Sequence, residues 1–167
     1  MGKKARWVDL VPEAGPYIER TDAGNALFVF LRAHRVTFDA IDREFRAELG
    51  LSLALWEVLV ILSKAPDMRL RMVDVTRRML VSKSNVTQLI DKLERAGMVT
   101  REASASDRRL VYAAPTREGI EALRRGSGIF NEAAREHFAR YMTATELRTV
   151  GSGLSKVIAA NASDSLE

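Results

Sequence analysis

Short polar side chains that can both donate and accept hydrogen bonds crowd one stretch of this chain. Ser82, Lys83, Ser84, Asn85, Thr87 and Gln88 stand almost in a row, with Lys92 one turn further on. Asn and Gln can grip an adenine edge through two hydrogen bonds, and a Thr methyl can touch thymine. Ser82, Lys83 and Ser84 fall where a helix would begin, and the free N–H groups of a helix start favour a phosphate. Arginines follow. Arg101 comes first, and then Arg108 and Arg109 close the run ASASDRR beside Asp107. An arginine on a thin hairpin can enter a minor groove, where narrowing deepens the negative potential. Asp107 would repel phosphate, so its better role is to orient Arg109 through a charge-assisted pair. This is the chemistry of reading nucleic acid.

Those residues need elements to hold them. Residues 70–80 read as a short helix with Met72, Val73, Val75, Met79 and Leu80 inward. Val81 and Ser82 make a turn. A second helix spans 83–96, with Val86, Leu89, Ile90 and Leu93 on its inner face, and Gly97 ends it because it tolerates positive φ. Val99–Glu102 and Leu110–Ala114 pair as two strands around the ASASDRR tip. A polar helix face is by itself ordinary. Preceded by a helix and a tight turn, and followed by a basic hairpin, it predicts a winged helix-turn-helix.

The flanking sequence reads as helix. The first long helix runs from Ala23 to Leu49, with Leu27, Leu31, His34, Phe38, Ile41, Phe45 and Leu49 as its stripe. Gly50 ends it, and Ser52 caps the next helix, which buries Leu55, Trp56, Leu59 and Leu62. Thr116 caps a long helix reaching about Tyr141, and Thr143 or Thr145 begins the last one. The fold class is therefore mainly α with a small β-hairpin wing. Residues 1–23 form an arm with a short helix near Trp7–Val11. Residues 24–50 form a dimerisation helix, 51–116 the winged lobe and 117–162 the C-terminal dimerisation helices, and 163–167 form a frayed tail.

The 167 residues suffice for one domain with a real core, since 47% are hydrophobic. Net charge is +4, and its placement is informative. Lys64–Arg109 holds 11 Lys and Arg against 6 Asp and Glu, whereas the remainder holds 15 against 16. The positive excess thus falls on the segment expected to meet phosphates, where binding would weaken with salt. No apolar run approaches the roughly 18 residues that span a bilayer. The first residues lack a signal-peptide core, so a cytoplasmic protein is expected. There is no cysteine, and His34 and His137 belong to no ligand cluster, so neither metal nor cofactor is expected. No nucleophile–base pair or phosphate-cradling glycine loop is present, and the acidic groups Asp39, Asp42 and Glu44 read as helix surface, which argues against an enzyme.

The stretch Val81-Ser82-Lys83-Ser84-Asn85-Val86-Thr87-Gln88-Leu89-Ile90-Asp91-Lys92-Leu93-Glu94, followed by Gly97, Met98 and Val99, resembles the recognition helix of the MarR family of transcriptional regulators. Asp107, Arg109, Thr116 and Gly119 hold the places of that family's wing motif. The resemblance covers about residues 24–160. It implies a winged-helix homodimer, held by its first and last two helices, that binds double-stranded DNA at a pseudo-palindromic operator, usually as a repressor. Three positions depart from the pattern. Gln88 replaces a frequent arginine, which alters base preference. Lys83 replaces a proline, and Pro115 replaces a leucine before Thr116.

Apolar side chains on the terminal helices exceed what one winged helix can bury. Leu147, Val150, Leu154 and Val157, with Phe130, Phe138 and Tyr141, call for a second copy. The family resemblance also implies release by a small aromatic or phenolic acid. Trp7, His34, Arg35, Phe38 and Trp56 are the candidates for that pocket, although core packing explains Trp56 and Phe38 as well. A regulator that works without a ligand, by competing with other DNA-binding proteins, is the alternative within the class. A winged helix serving protein–protein contact is the alternative outside it.

Overall fold

A computed structural model describes residues 21–79, 82–103 and 110–162. Trp7 and its short helix, Leu80, Val81, the tip residues Asp107, Arg108 and Arg109, and the tail all lie outside the described residues. The chain divides into two compact units, one up to Ala40 and one from Ile41.

In the first unit, helix α1 (Asp22–Leu49) begins where the Thr21 hydroxyl accepts the Gly24 amide at 3.0 Å. Leu27, Leu31 and His34 of the expected stripe are exposed. His34 is therefore not a core histidine. Its ring lies 6.3 Å from that of Phe30 and 5.8 Å from that of Phe38. Arg35 pairs with Asp39 at 3.2 Å.

The second unit contains the core. Ile41 and Phe45, on the last turns of α1, are buried, and Gly50 stops the helix at φ +71°. Ser52 caps α2 (Leu53–Ser63) by accepting the Leu55 amide. Asp42 accepts the Leu53 amide at 2.8 Å and also holds Arg46. Burial would raise the Asp42 carboxyl, but the hydrogen bonds from Arg46 and Leu53 and the Arg46 charge bring it below the usual carboxylate range. The bond therefore supports the fold near neutral pH and is lost as pH falls through the lowered pKa.

Helix α2 buries Leu53, Trp56, Val58, Leu59 and Leu62; Leu55, expected inside, is only half-buried at the edge of the cluster. Ala65–Arg69 turns sharply, with Asp67 and Met68 both at positive φ, and leads into β1 (Leu70–Arg71) and α3 (Met72–Met79). On α3, Val75 and Met79 are buried, but Val73 is 50% exposed, against expectation, because the helix meets α2 and α4 along one narrow side only. Helix α4 (Lys83–Arg95) buries Val86, Leu89, Ile90 and Leu93, as its spacing predicts. Gly97 (φ +70°) closes it, donating to the Glu94 carbonyl, while Met98 donates to that of Leu93.

Strands β2 (Val99–Ala103) and β3 (Val111–Pro115) pair antiparallel, from Val99 opposite Pro115 to Ala103 opposite Val111. Strand β1 adds to the far side of β3, giving a three-stranded sheet in the order β1-β3-β2. The Thr116 hydroxyl accepts the Gly119 amide and donates to the Gly97 carbonyl, so one side chain joins the cap of α5 to the end of α4. Helix α5 (Arg117–His137) stops short of Tyr141, which falls in a 3-10 turn (Ala139–Tyr141). A reciprocal Thr143–Glu146 capping box opens α6 (Ala144–Ala162).

Trp56 is fixed on three sides. Its indole N–H donates to the Leu123 carbonyl at 3.2 Å, its ring stacks on Phe130 at 5.2 Å, and Phe45 lies 5.1 Å away. Gly126 makes room for it, since a Cβ there would lie 2.2 Å from Nε1. Gly126→Ala is expected to cost about 2 kcal/mol, in the range of overpacked cores. Thermal melts, and the emission of Trp56 in a Trp7→Phe background, check this.

Candidate nucleic-acid interface

Helix α4 separates its residues cleanly. Over the buried face stand Lys83, Ser84, Asn85, Thr87, Gln88 and Lys92, all exposed, with the exposed Ser82 as N-cap. The Ser82 hydroxyl accepts the Asn85 amide at 3.3 Å and lies 3.0 Å from the Ser84 hydroxyl. Thr87 donates its hydroxyl proton to the Lys83 carbonyl at 3.0 Å. Among the described residues the side chains of Asn85 and Gln88 make no hydrogen bond, so both amides keep donor and acceptor available. Sequence reading passed over Arg77 and Arg78, which are exposed on the last turn of α3; Arg77 lies 3.8 Å from Asp74.

Arg101, expected among the wing's DNA contacts, is placed differently. Its guanidinium pairs with both Asp91 and Glu94 of α4, and its side chain is only 26% exposed. Burial alone would lower its pKa, but the two hydrogen bonds and the two carboxylate charges raise it above the ordinary arginine value. On the outer side of the sheet Arg69 lies over the Tyr112 ring at 5.3 Å and within 3.9 Å of Glu102, tying β1 to the wing.

Of the other candidate residues, His34, Arg35 and Phe38 lie in the first unit and Trp56 in the second. Trp56 belongs to the core, and Arg35 is paired on the surface. The carboxylates read as helix surface are each taken up by a partner: Asp39 by Arg35, Asp42 by Arg46 and the Leu53 amide, Glu44 by His137. Among the described residues no group of His, Asp and Glu could hold a metal ion, and no helix is long and apolar enough to cross a membrane.

This arrangement has counterparts. The MarR family model matches residues 49–110. The solved structure of Sco3205, a MarR family transcriptional regulator from Streptomyces coelicolor in complex with DNA, superposes with a TM-score of 0.75 at 26% identity, covering 86% of this chain and 91% of that one. The chain belongs to the MarR family. It is accordingly a winged-helix, DNA-binding transcriptional regulator. MhqR of Bacillus subtilis, an HTH-type transcriptional regulator, is 29% identical over 120 residues, which span 71% of this chain and 76% of MhqR. The homoprotocatechuate degradative operon repressor of Escherichia coli is 28% identical over 104 residues, 62% of this chain and 68% of that protein. The family match spans α2, the helix-turn-helix and most of the wing, the segment in which the exposed polar face of α4 lies.

Proposed function

We propose that the chain acts as a homodimeric repressor. Two copies of α4 enter successive major grooves of a pseudo-palindromic operator, and residues 104–109 of each wing reach the adjacent minor groove. The observation that carries this reading is the exposed row Lys83, Ser84, Asn85, Thr87, Gln88 and Lys92 above a buried apolar face. Asn85 and Gln88 would read bases, Ser82, Ser84, Lys83 and Lys92 would hold phosphates, and Arg108 and Arg109, oriented by Asp107, would serve the wing. Repression is the role named for the E. coli homoprotocatechuate relative. Selection of duplexes from a random-sequence pool, followed by anisotropy over a salt series, tests the DNA half. Enrichment of a two-fold sequence with a steep salt slope supports it. Equal, weak binding to every duplex defeats it.

The dimer half draws on apolar surface. On α6, Val150 is 37% exposed and Val157 and Ile158 are 57% exposed, and the half-buried Leu147 and Leu154 lie on the same helix. An apolar helix face of this extent calls for cover. Light scattering is expected to give twice the chain mass of 18.6 kDa. The pair Val150→Glu and Val157→Glu should shift the protein to monomer and weaken operator binding more than 100-fold, because each half-site would then be bound alone. A stable monomer of the native protein at micromolar concentration would refute this half.

Release by a small aromatic acid is the third part of the reading. It draws on the name of the homoprotocatechuate operon repressor, and on His34, Arg35 and Phe38 lying along one helix. Trp56 is committed to the core and is not among the residues proposed to meet a ligand. Adding homoprotocatechuate to the preformed DNA complex is expected to lower anisotropy. No release across a millimolar series would favour a regulator that competes for DNA without a ligand.

A further inference from the structure

Arg101 sits on β2 two residues after Val99, and residues two apart on a strand share a face. Val99 is buried in the core, so Arg101 continues the same row outward, where α4 crosses β2. There its Nη2 meets Asp91 Oδ1 and its Nη1 meets Glu94 Oε2. Asp91 and Glu94 are three residues apart on α4, about one turn, and the arginine fork spans them both. Both terminal nitrogens are engaged by carboxylates and the single positive charge is already met by two negative ones, so the guanidinium is a poor candidate for a phosphate contact.

We propose that Arg101 is a positioning residue that clamps the recognition helix to the base of the wing and, with its one positive charge, offsets part of the negative charge of the two carboxylates that this helix carries. The inference rests on the DNA-binding reading above and assigns within it a task other than DNA contact. Helix and wing must reach two grooves of one duplex at once. A clamp between the C-terminal turns of α4 and the start of the hairpin makes them a single rigid body, so less freedom is lost on binding. Without Arg101, Asp91 and Glu94 would be unpaired negative charges on a helix approaching phosphates, within a Debye length of them.

The test uses the full chain and a duplex that the native protein has itself selected, compared with a scrambled duplex over a salt series. For Arg101→Gln the ratio of specific to scrambled affinity is expected to fall about tenfold, the size of coupling found in contacting ion pairs. The salt slope should stay where it was, since no phosphate contact is removed. Adding Asp91→Asn and Glu94→Gln to that variant should recover part of the loss. Arg101→Lys, which restores the charge without the fork, should fall between native and Gln and serves if Arg101→Gln folds poorly. Equal loss on both duplexes, with the slope reduced by about one, would make Arg101 a phosphate contact and overturn the proposal. A native protein that prefers no duplex would fail before any variant is made, defeating the DNA reading and the positioning role together.

Discussion

Asn85→Ala combined with Gln88→Ala lowers affinity for the selected duplex at least about 30-fold, because each lost pair of base contacts is worth about 1–3 kcal/mol. Affinity for scrambled DNA should barely change, and neither should the salt slope, since neither side chain is charged. Folding should be unaffected. Both side chains are exposed and make no hydrogen bond among the described residues, and alanine is the stronger helix former. Anisotropy on the two duplexes, with circular dichroism as the control, checks the result. Unchanged discrimination would remove both amides from base readout. Gln88 is the more informative single change, because it stands where the family often carries arginine. Gln88→Arg should shift the preferred base at one position in each half-site from adenine towards guanine, which a repeated selection would show.

The largest effect on stability is expected at Gly119. A Cβ there would lie 2.1 Å from the carbonyl oxygen of Met98 and 3.3 Å from the Pro115 side chain. The first of these is backbone and cannot swing aside. The same Met98 carbonyl accepts the Thr116 amide at 3.0 Å, and Thr116 in turn caps α5 through the Gly119 amide. Gly119→Ala therefore pushes α5 away from the point where α4 hands over to the wing. The expected cost is about 3 kcal/mol, at the upper end for overpacking, or a fall in Tm of about 6–12 °C for a chain of this size. Gly128→Ala is the matched control, since nothing lies within 4 Å of the added carbon. It should stabilise α5 by up to about 1 kcal/mol through helix propensity. Equal Tm changes in the two variants would show that the close approach at Gly119 does not constrain the fold.

The contrast between those glycines also marks the limit of sequence reading. The period of Val86, Leu89, Ile90 and Leu93 determined the inner face of α4, and with it the outward row that includes Asn85 and Gln88. Local chemistry determined the ends of elements: Ser52, Ser82 and Thr116 cap helices, and Gly50 and Gly97 stop them at positive φ. These features depend on residues within one or two turns of each other, so order along the chain is enough to read them. Strand β1 was not legible. Two residues carry no period, and only pairing with Tyr112 and Ala113 of β3, far along the chain, makes Leu70 and Arg71 a strand. His34 and Val73 looked inward by spacing and are exposed, because a stripe says which side of a helix is apolar but not how much of it a neighbour covers.

Arg101 and Trp56 show the same limit within the site. By type, a wing arginine suits a phosphate and a tryptophan suits an aromatic ligand. The tertiary structure committed both elsewhere: Arg101 to two carboxylates of α4, Trp56 to Phe45, Phe130 and the Leu123 carbonyl. The alternation from Val99 to Arg101 already placed the arginine on the inward side of its strand. Nothing along the chain said that Asp91 and Glu94 would be waiting there, because that depends on where α4 crosses β2. By itself the sequence determined the main helices and the hairpin, the polar face of α4 and the family. Only the tertiary structure decided which charged and aromatic side chains remain free to act, since a side chain's partners come from distant parts of the chain.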